Sequence, residues 1–174
     1  YKDGKTVASS FIRFESLLYE SRLSPHKSQK FSIKLEIDMN PPQGGVLRTD
    51  IINKYFPISF LSYDVPSLFA GKTHALLSRK YTKGRDFFDL GWYLSKWKGL
   101  RPNLTLLENA LKQTGWKGDI PSADNWKNIL YNVVKSADWK RVREDVENFL
   151  ENPADLNILS QDNILLLLTA SVDK

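Results

Sequence analysis

Lys72, Arg79 and Asp86 are the residues whose types and spacing point to chemistry. Taken as a helix at about 100° per residue, the stretch from Leu68 to about Lys80 has an apolar arc defined by Leu68, Phe69, Ala75 and Leu76. Lys72 and Arg79, seven residues apart, fall inside that arc. A second helix, from Asp86 to about Lys98, would place Phe87, Leu90, Tyr93, Leu94 and Trp97 on one side, with Asp86 in the same arc and Asp89 at its edge. Between them Tyr81-Thr82-Lys83-Gly84 reads as a short turn, so the pair forms a helix hairpin with Lys72, Arg79, Arg85 and Asp86 converging near its inner face. Charges held there give up hydration. They form either a partly buried ion-pair network between packed helices or a site for phosphate groups.

A second charged set lies on the clearest strand of the sequence. From Lys30 to Met39, Phe31, Ile33, Leu35, Ile37 and Met39 alternate with Lys30, Ser32, Lys34, Glu36 and Asp38. Lys34, Glu36 and Asp38 therefore share a face, with neighbours about 7 Å apart by strand rise. Such a row is either a solvent-facing edge or the lining of a metal and triphosphate site.

The pattern Phe69-Ala70-Gly71-Lys72 with His74-Ala75-Leu76-Leu77, then Arg79, then Lys83-Gly84-Arg85-Asp86-Phe87-Phe88-Asp89-Leu90, closely resembles the last two motifs of the AbiEii/AbiGii-type nucleotidyltransferase toxins. Lys34-Leu35-Glu36-Ile37-Asp38 with Asn40-Pro41-Pro42 resembles that family's preceding strand motif. The resemblance runs from about Ile12 to Leu94. It implies transfer of a nucleotide from a nucleoside triphosphate, with Mg2+ or another divalent cation, to an RNA acceptor such as tRNA, and a cognate antitoxin as partner in a toxin-antitoxin or phage-defence system.

By the same resemblance Lys72 and Asp86 are catalytic, and Lys72 and Arg79 clamp the phosphates. Lys34, Lys83 and Arg85 join the phosphate-binding set, while Glu36, then Asp38, are the metal carboxylates. Asp86 would either fix Lys72 or Arg79 in place or act as a base toward the acceptor. The family's glycine-led first motif and its Asp-x-Asp pair have no counterpart here. Gly44-Gly45-Val46-Leu47-Arg48-Thr49-Asp50 imitates that motif only superficially, because its glycines sit in a proline-rich loop ahead of strand-like residues.

Composition bounds these readings. The chain has 174 residues, 41% hydrophobic and 12% aromatic, enough for a real core in one domain or two small ones. A net charge of +5 permits a nucleic-acid or nucleotide partner without requiring one. The absence of cysteine rules out disulfides and thiolate metal sites, and His26 with His74 do not build a zinc site. The most apolar run, Ile164 to Leu168, is far too short to span a bilayer, so no membrane partner and a cytoplasmic location are expected. Asp3-Gly4 is a hairpin-turn signal with only two residues before it, and the chain is expected to be the C-terminal part of a longer protein, inactive alone.

The remaining elements must position these side chains. Strands are expected over Thr6 to Phe14 and, as one or two, over Val46 to Tyr63, with Pro57 at a bend or edge, and a short helix over Glu15 to Arg22. Pro66 and Ser67 read as the start of the motif helix, with Ser67 as its cap. Helices then open at Asn103, Ser122 and Asp138, the last with Val142, Val146, Phe149 and Leu150 inward and Lys140, Arg141, Arg143, Glu144, Asp145 and Glu147 solvated. A final helix covers Gln161 to Val172. The expected fold is α+β, the C-terminal portion of a nucleotidyltransferase-like fold: residues 1–64 hold a small sheet and residues 65–174 a helical bundle that begins with the motif hairpin. The alternative is a non-catalytic helical module that binds RNA or protein, with the hairpin cations as salt-sensitive phosphate contacts.

Overall fold

The structure, a computed structural model, describes residues 6–150, 156 and 159–170. The Asp3-Gly4 turn lies outside the described residues. The fold is α+β, and the chain divides into two compact units, Tyr1–Pro41 and Pro42–Lys174, so the second strand pair groups with the helices.

In the first unit, β1 (Val7–Phe14) and β2 (Phe31–Asp38) pair antiparallel, in register from Val7 opposite Asp38 to Phe14 opposite Phe31. This register puts Ile12 and Phe14 on the same face as Phe31, Ile33, Leu35 and Ile37, because cross-strand partners point the same way. Lys34, Glu36 and Asp38 take the other face, as the alternation predicts. The helix expected over Glu15 to Arg22 is reduced to α1, the single turn Leu17–Glu20. It has no side-chain cap, and Arg22 turns left-handed at φ 57°, which stops it.

In the second unit, β3 (Leu47–Asn53) and β4 (Pro57–Tyr63) form another antiparallel pair. Pro57 occupies the first position of β4, where a missing donor costs the ladder least. The described strands thus make two separate two-stranded sheets. Gly44 and Gly45 lie in the loop before β3, and Gly44 adopts φ +99°, a conformation that side-chain-bearing residues rarely take.

Six helices follow: α2 (Val65–Ser78), α3 (Gly84–Lys96), α4 (Leu104–Gln113), α5 (Trp126–Ser136), α6 (Trp139–Glu147) and α7 (Gln161–Ala170). α2 packs on α3, α4 and α5, while α3 also meets α6 and α7. Phe69, Leu90, Leu107, Leu111, Trp126, Leu130, Val134 and Val142 are buried at the centre, each large side chain contributing roughly 1.5–3 kcal/mol. Phe69 stacks on Tyr93 with centroids 5.2 Å apart and meets Trp126 edge-on at 5.9 Å.

Asn103 and Asp138 cap α4 and α6 as the sequence predicts, accepting from the amides of Leu106 and Arg141 at 3.1 Å each. Three local expectations are corrected. Asp64, not Ser67, caps α2, accepting from the Ser67 amide at 2.9 Å; Pro66 belongs to the first turn, which sets the cap ahead of it. α5 begins at Trp126 rather than Ser122, because Asn125 folds the preceding turn by accepting from Ser122 N and donating to the Ile120 carbonyl. The buried stripe of α2 is Phe69, Ala70, Thr73 and Leu77, and Leu68 is exposed.

Candidate functional site

The rotation of α2 decides where its cations go. Because Phe69, Ala70, Thr73 and Leu77 face the core, Lys72 and Arg79 flank it, about 20° apart after two turns, with side chains 39% and 32% exposed. They stand at the rim of the apolar arc instead of inside it. Each long aliphatic stem lies along the helix while its head reaches toward α3.

Asp86 is held more deeply. Its position in the first turn of α3, beside Phe87 and one turn before Leu90, carries its side chain into the packed face, where it is only 5% exposed. Arg79 Nε lies 3.1 Å from Oδ2 and Lys72 Nζ lies 3.9 Å from Oδ1. The Arg79 contact is close enough for charge pairing but off the line of a hydrogen bond, so Oδ2 has no hydrogen-bond donor among the described residues. Lys72 also makes a tight ion pair with Asp89, one helical turn further along α3. A buried carboxylate thus sits between two cations, and a second carboxylate holds the more exposed one.

The N-terminus of α3 is fixed from α6. Gly84 N donates to Asp145 Oδ2 at 2.8 Å, so Asp145 satisfies a free amide of the first turn rather than standing in solvent as its charged neighbours suggested. Gly84 permits the approach, since a Cβ there would lie 2.2 Å from the Val142 carbonyl oxygen. Lys83, just before the helix, and Arg85, just inside it, are thereby aimed at the same region as Lys72.

These side chains border a cavity of about 500 Å³, within the size range of small-molecule clefts of roughly 300–1,000 Å³. Lys72, Arg79, Lys83 and Arg85 supply four cations to its wall, and Asp86 and Asp89 two carboxylates. Phe88, Val146, Phe149 and Leu150 form an apolar side. Phe149 was expected to point inward, yet it is 60% exposed, with the Arg85 guanidinium 4.4 Å from its ring centroid. It lies beyond the last turn of α6, where its amide donates to the Val146 carbonyl at 2.8 Å and keeps the ring at the cavity rim. A smaller cavity of about 170 Å³ shares Arg79, Lys83 and Asp86 and adds Lys80 and Tyr81.

Behind the cations, His74 Nε2 lies 3.0 Å from Thr114 Oγ1. Burial holds the His74 imidazole below its ordinary value, a backbone hydrogen bond to Ala110 opposes this, and the charge of Arg79 adds to the depression. Burial, together with the charge of Asp89, raises the Tyr93 phenol above its ordinary value.

The other sequence-predicted residues belong to the first compact unit and make their own cluster on β2. Lys34 Nζ pairs with Glu36 Oε1 at 2.6 Å, and Asp38 Oδ1 accepts from the Asn40 amide at 3.0 Å. Both members of the Lys34–Glu36 pair are about half exposed. Among the described residues no three His, Cys, Asp or Glu side chains converge as a metal would require. The carboxylates of β2 are two in number and already engaged, and those of α3 are paired with cations. The residues described do not by themselves fit a divalent metal. No described helix is long and apolar enough to cross a membrane.

Sequence reasoning assembled Lys72, Arg79, Arg85 and Asp86 correctly but missed Asp145 and the exposed Phe149. Phe149 carried one signal: it follows the α6 stripe immediately before Leu150, and both cannot occupy the same buried position on a helix that is about to end.

A family model described as nucleotidyl transferase AbiEii toxin, type IV toxin-antitoxin system, matches residues 5–161 of the chain. No curated protein and no solved structure matches it.

Proposed function

The chain belongs to the AbiEii nucleotidyl transferase toxin family, and from that premise we propose that it contributes the phosphate-handling half of a site that transfers a nucleotide from a nucleoside triphosphate to an RNA acceptor such as tRNA. The observation that carries this reading is the cavity bordered by Lys72, Arg79, Lys83 and Arg85, in which four cations face two carboxylates and leave an excess of positive charge for an anionic ligand.

In the transfer, the acceptor hydroxyl oxygen forms a bond to the α-phosphorus, the bond to the pyrophosphate oxygen breaks, and the hydroxyl proton is released. Lys72 and Arg79 neutralise charge that builds on the transferred phosphoryl group and the leaving pyrophosphate. Asp86 serves as a positioning residue: nearly buried and paired with both cations, it holds them at the cavity wall. That environment favours anchoring over action as a base, because a base must come within hydrogen-bond reach of the acceptor hydroxyl. Asp89 restrains Lys72 in the same way. Lys83 and Arg85 meet the outer phosphates. Within this reading the reaction runs in the cytoplasm and a cognate antitoxin restrains it.

The test is nucleotide transfer by the native gene product, with labelled nucleoside triphosphates, divalent cation and total tRNA, beside Lys72→Ala and Asp86→Ala. RNA labelling lost in both variants supports the assignment. Folded protein that labels no RNA but binds it with a steep salt dependence would replace the enzyme reading with an RNA-binding module.

A further inference from the structure

The cavity has a feature that phosphate binding leaves unused, its apolar side. Phe149 is a large aromatic residue 60% exposed at the rim, held there by its own backbone hydrogen bond to Val146. Phe88, three residues after Arg85 on α3 and therefore on the same helical face, lines the same cavity and is partly exposed. Arg85 joins the two sides, since it borders the cavity and stacks its guanidinium over the Phe149 ring at 4.4 Å. A nucleoside triphosphate has the matching polarity: a polyanionic end and a flat, weakly polar base separated by a sugar.

We propose that Phe149 is the stacking platform for the base of the nucleoside triphosphate whose phosphates meet Lys72 and Arg79. This rests on the nucleotidyl-transfer reading and extends it by assigning the ligand's orientation. The base lies against the Phe149 side of the cavity and the phosphates run toward α2. Arg85 sits between them, its planar cation in contact with the ring and its charge available to the phosphate chain. An aromatic platform accepts any base, because each has a π face. Discrimination among the four nucleotides is therefore assigned to groups other than Phe149.

The experiment measures binding to the full chain by calorimetry, with each ribonucleoside triphosphate and with inorganic tripolyphosphate, for wild type, Phe149→Ala, Phe149→Leu, Phe149→Trp and Lys72→Ala. A 2-aminopurine riboside triphosphate reports stacking directly, since its emission is quenched against an aromatic ring. Wild type is expected to bind nucleoside triphosphates more tightly than tripolyphosphate. Phe149→Ala and Phe149→Leu lose about tenfold in nucleotide affinity, in keeping with the value of one base–aromatic stack. Both keep their tripolyphosphate affinity and lose the quenching, and Phe149→Trp retains binding and quenching. Lys72→Ala weakens both ligands. Phe149 is exposed, so these variants are expected to keep the wild-type melting temperature.

Unchanged nucleotide affinity in Phe149→Ala overturns the stacking assignment while leaving the phosphate site standing. The same holds for a loss confined to RNA binding. Failure of wild type to bind either ligand overturns both readings.

Discussion

Asp86 and Asp89 on α3 and Glu36 and Asp38 on β2 are two acidic pairs at short spacing that the sequence offered for the same reaction, and they occupy opposite environments. Asp86 is 5% exposed and flanked by two cations, whereas Glu36 is 55% exposed and paired with one neighbour on its own strand. The periodicity of the surrounding residues decides the outcome. On a helix, a carboxylate placed beside Phe87 and a turn before Leu90 must enter the packed face, and it stays there only because Lys72 and Arg79 compensate its charge. On a strand, the alternation that puts Ile33, Leu35 and Ile37 on one face sends Glu36 and Asp38 to the other, where water hydrates them. A charge that interrupts an apolar pattern is the informative one.

Removing the buried member should show this contrast most strongly. Asp86→Ala is expected to abolish nucleotide transfer. It should also lower unfolding stability by about 3 kcal/mol, the lower end for a broken buried pair because both cations keep some solvent; urea denaturation gives the number. A loss below about 0.5 kcal/mol would mean that the pair is solvated in practice.

Lys72→Ala separates chemistry from folding. Transfer should fall by roughly 10²–10³-fold, as for other preorganised charge stabilisers, with little change in melting temperature because Lys72 stands at the rim. The packing that aims these groups is tested by Gly84→Ala. Its Cβ would press on the Val142 carbonyl, so the start of α3 must shift, at a cost of about 1–3 kcal/mol, and the Asp145 cap weakens with it. The exposed pair gives the opposite pole: Glu36→Gln should change stability by no more than about 0.5 kcal/mol, and a larger loss would show that β2 carries structural weight its exposure hides.

The smallest effect is on pH dependence. The folded state holds His74 below its ordinary value of 6.5. The unfolded chain therefore takes up a proton before the native one does. Stability from this group is complete above about pH 6.5 and declines as the pH falls through the unfolded and then the depressed folded value. His74→Gln should flatten that acid-side slope in melting curves taken from pH 7.5 to 5. Arg79→Gln should reduce it slightly, since Arg79 is a minor cause of the depression.

Much of this was legible in the sequence because it depends on local periodicity. The antiparallel strands, the caps at Asn103 and Asp138, the glycine loop before β3 and the burial of Asp86 all follow from residues within one or two turns of one another. Pairings across the chain left no such mark. Asp145 looked solvated because it lies in a run of mixed charge, and only the packing of α6 on α3, 61 residues away, gives it the Gly84 amide. The site's apolar side escaped for a related reason. Phe149 continues the α6 stripe, but the helix ends at Glu147 and the periodicity no longer fixes its direction.

Asn103 does more than cap a helix. While its Oδ1 accepts from Leu106 N, its Nδ2 donates to the Gly44 carbonyl at 2.8 Å and to Ser67 Oγ at 3.1 Å, and Ser67 Oγ in turn accepts from Val46 N. The loop before β3, the first turn of α2 and the first turn of α4 therefore share one clasp. None of the three frays alone, because releasing the loop uncaps α4 and strips the Ser67 hydroxyl of its donors. In hydrogen exchange the amides of Val46 and Leu106, 60 positions apart, should open together as one cooperative unit.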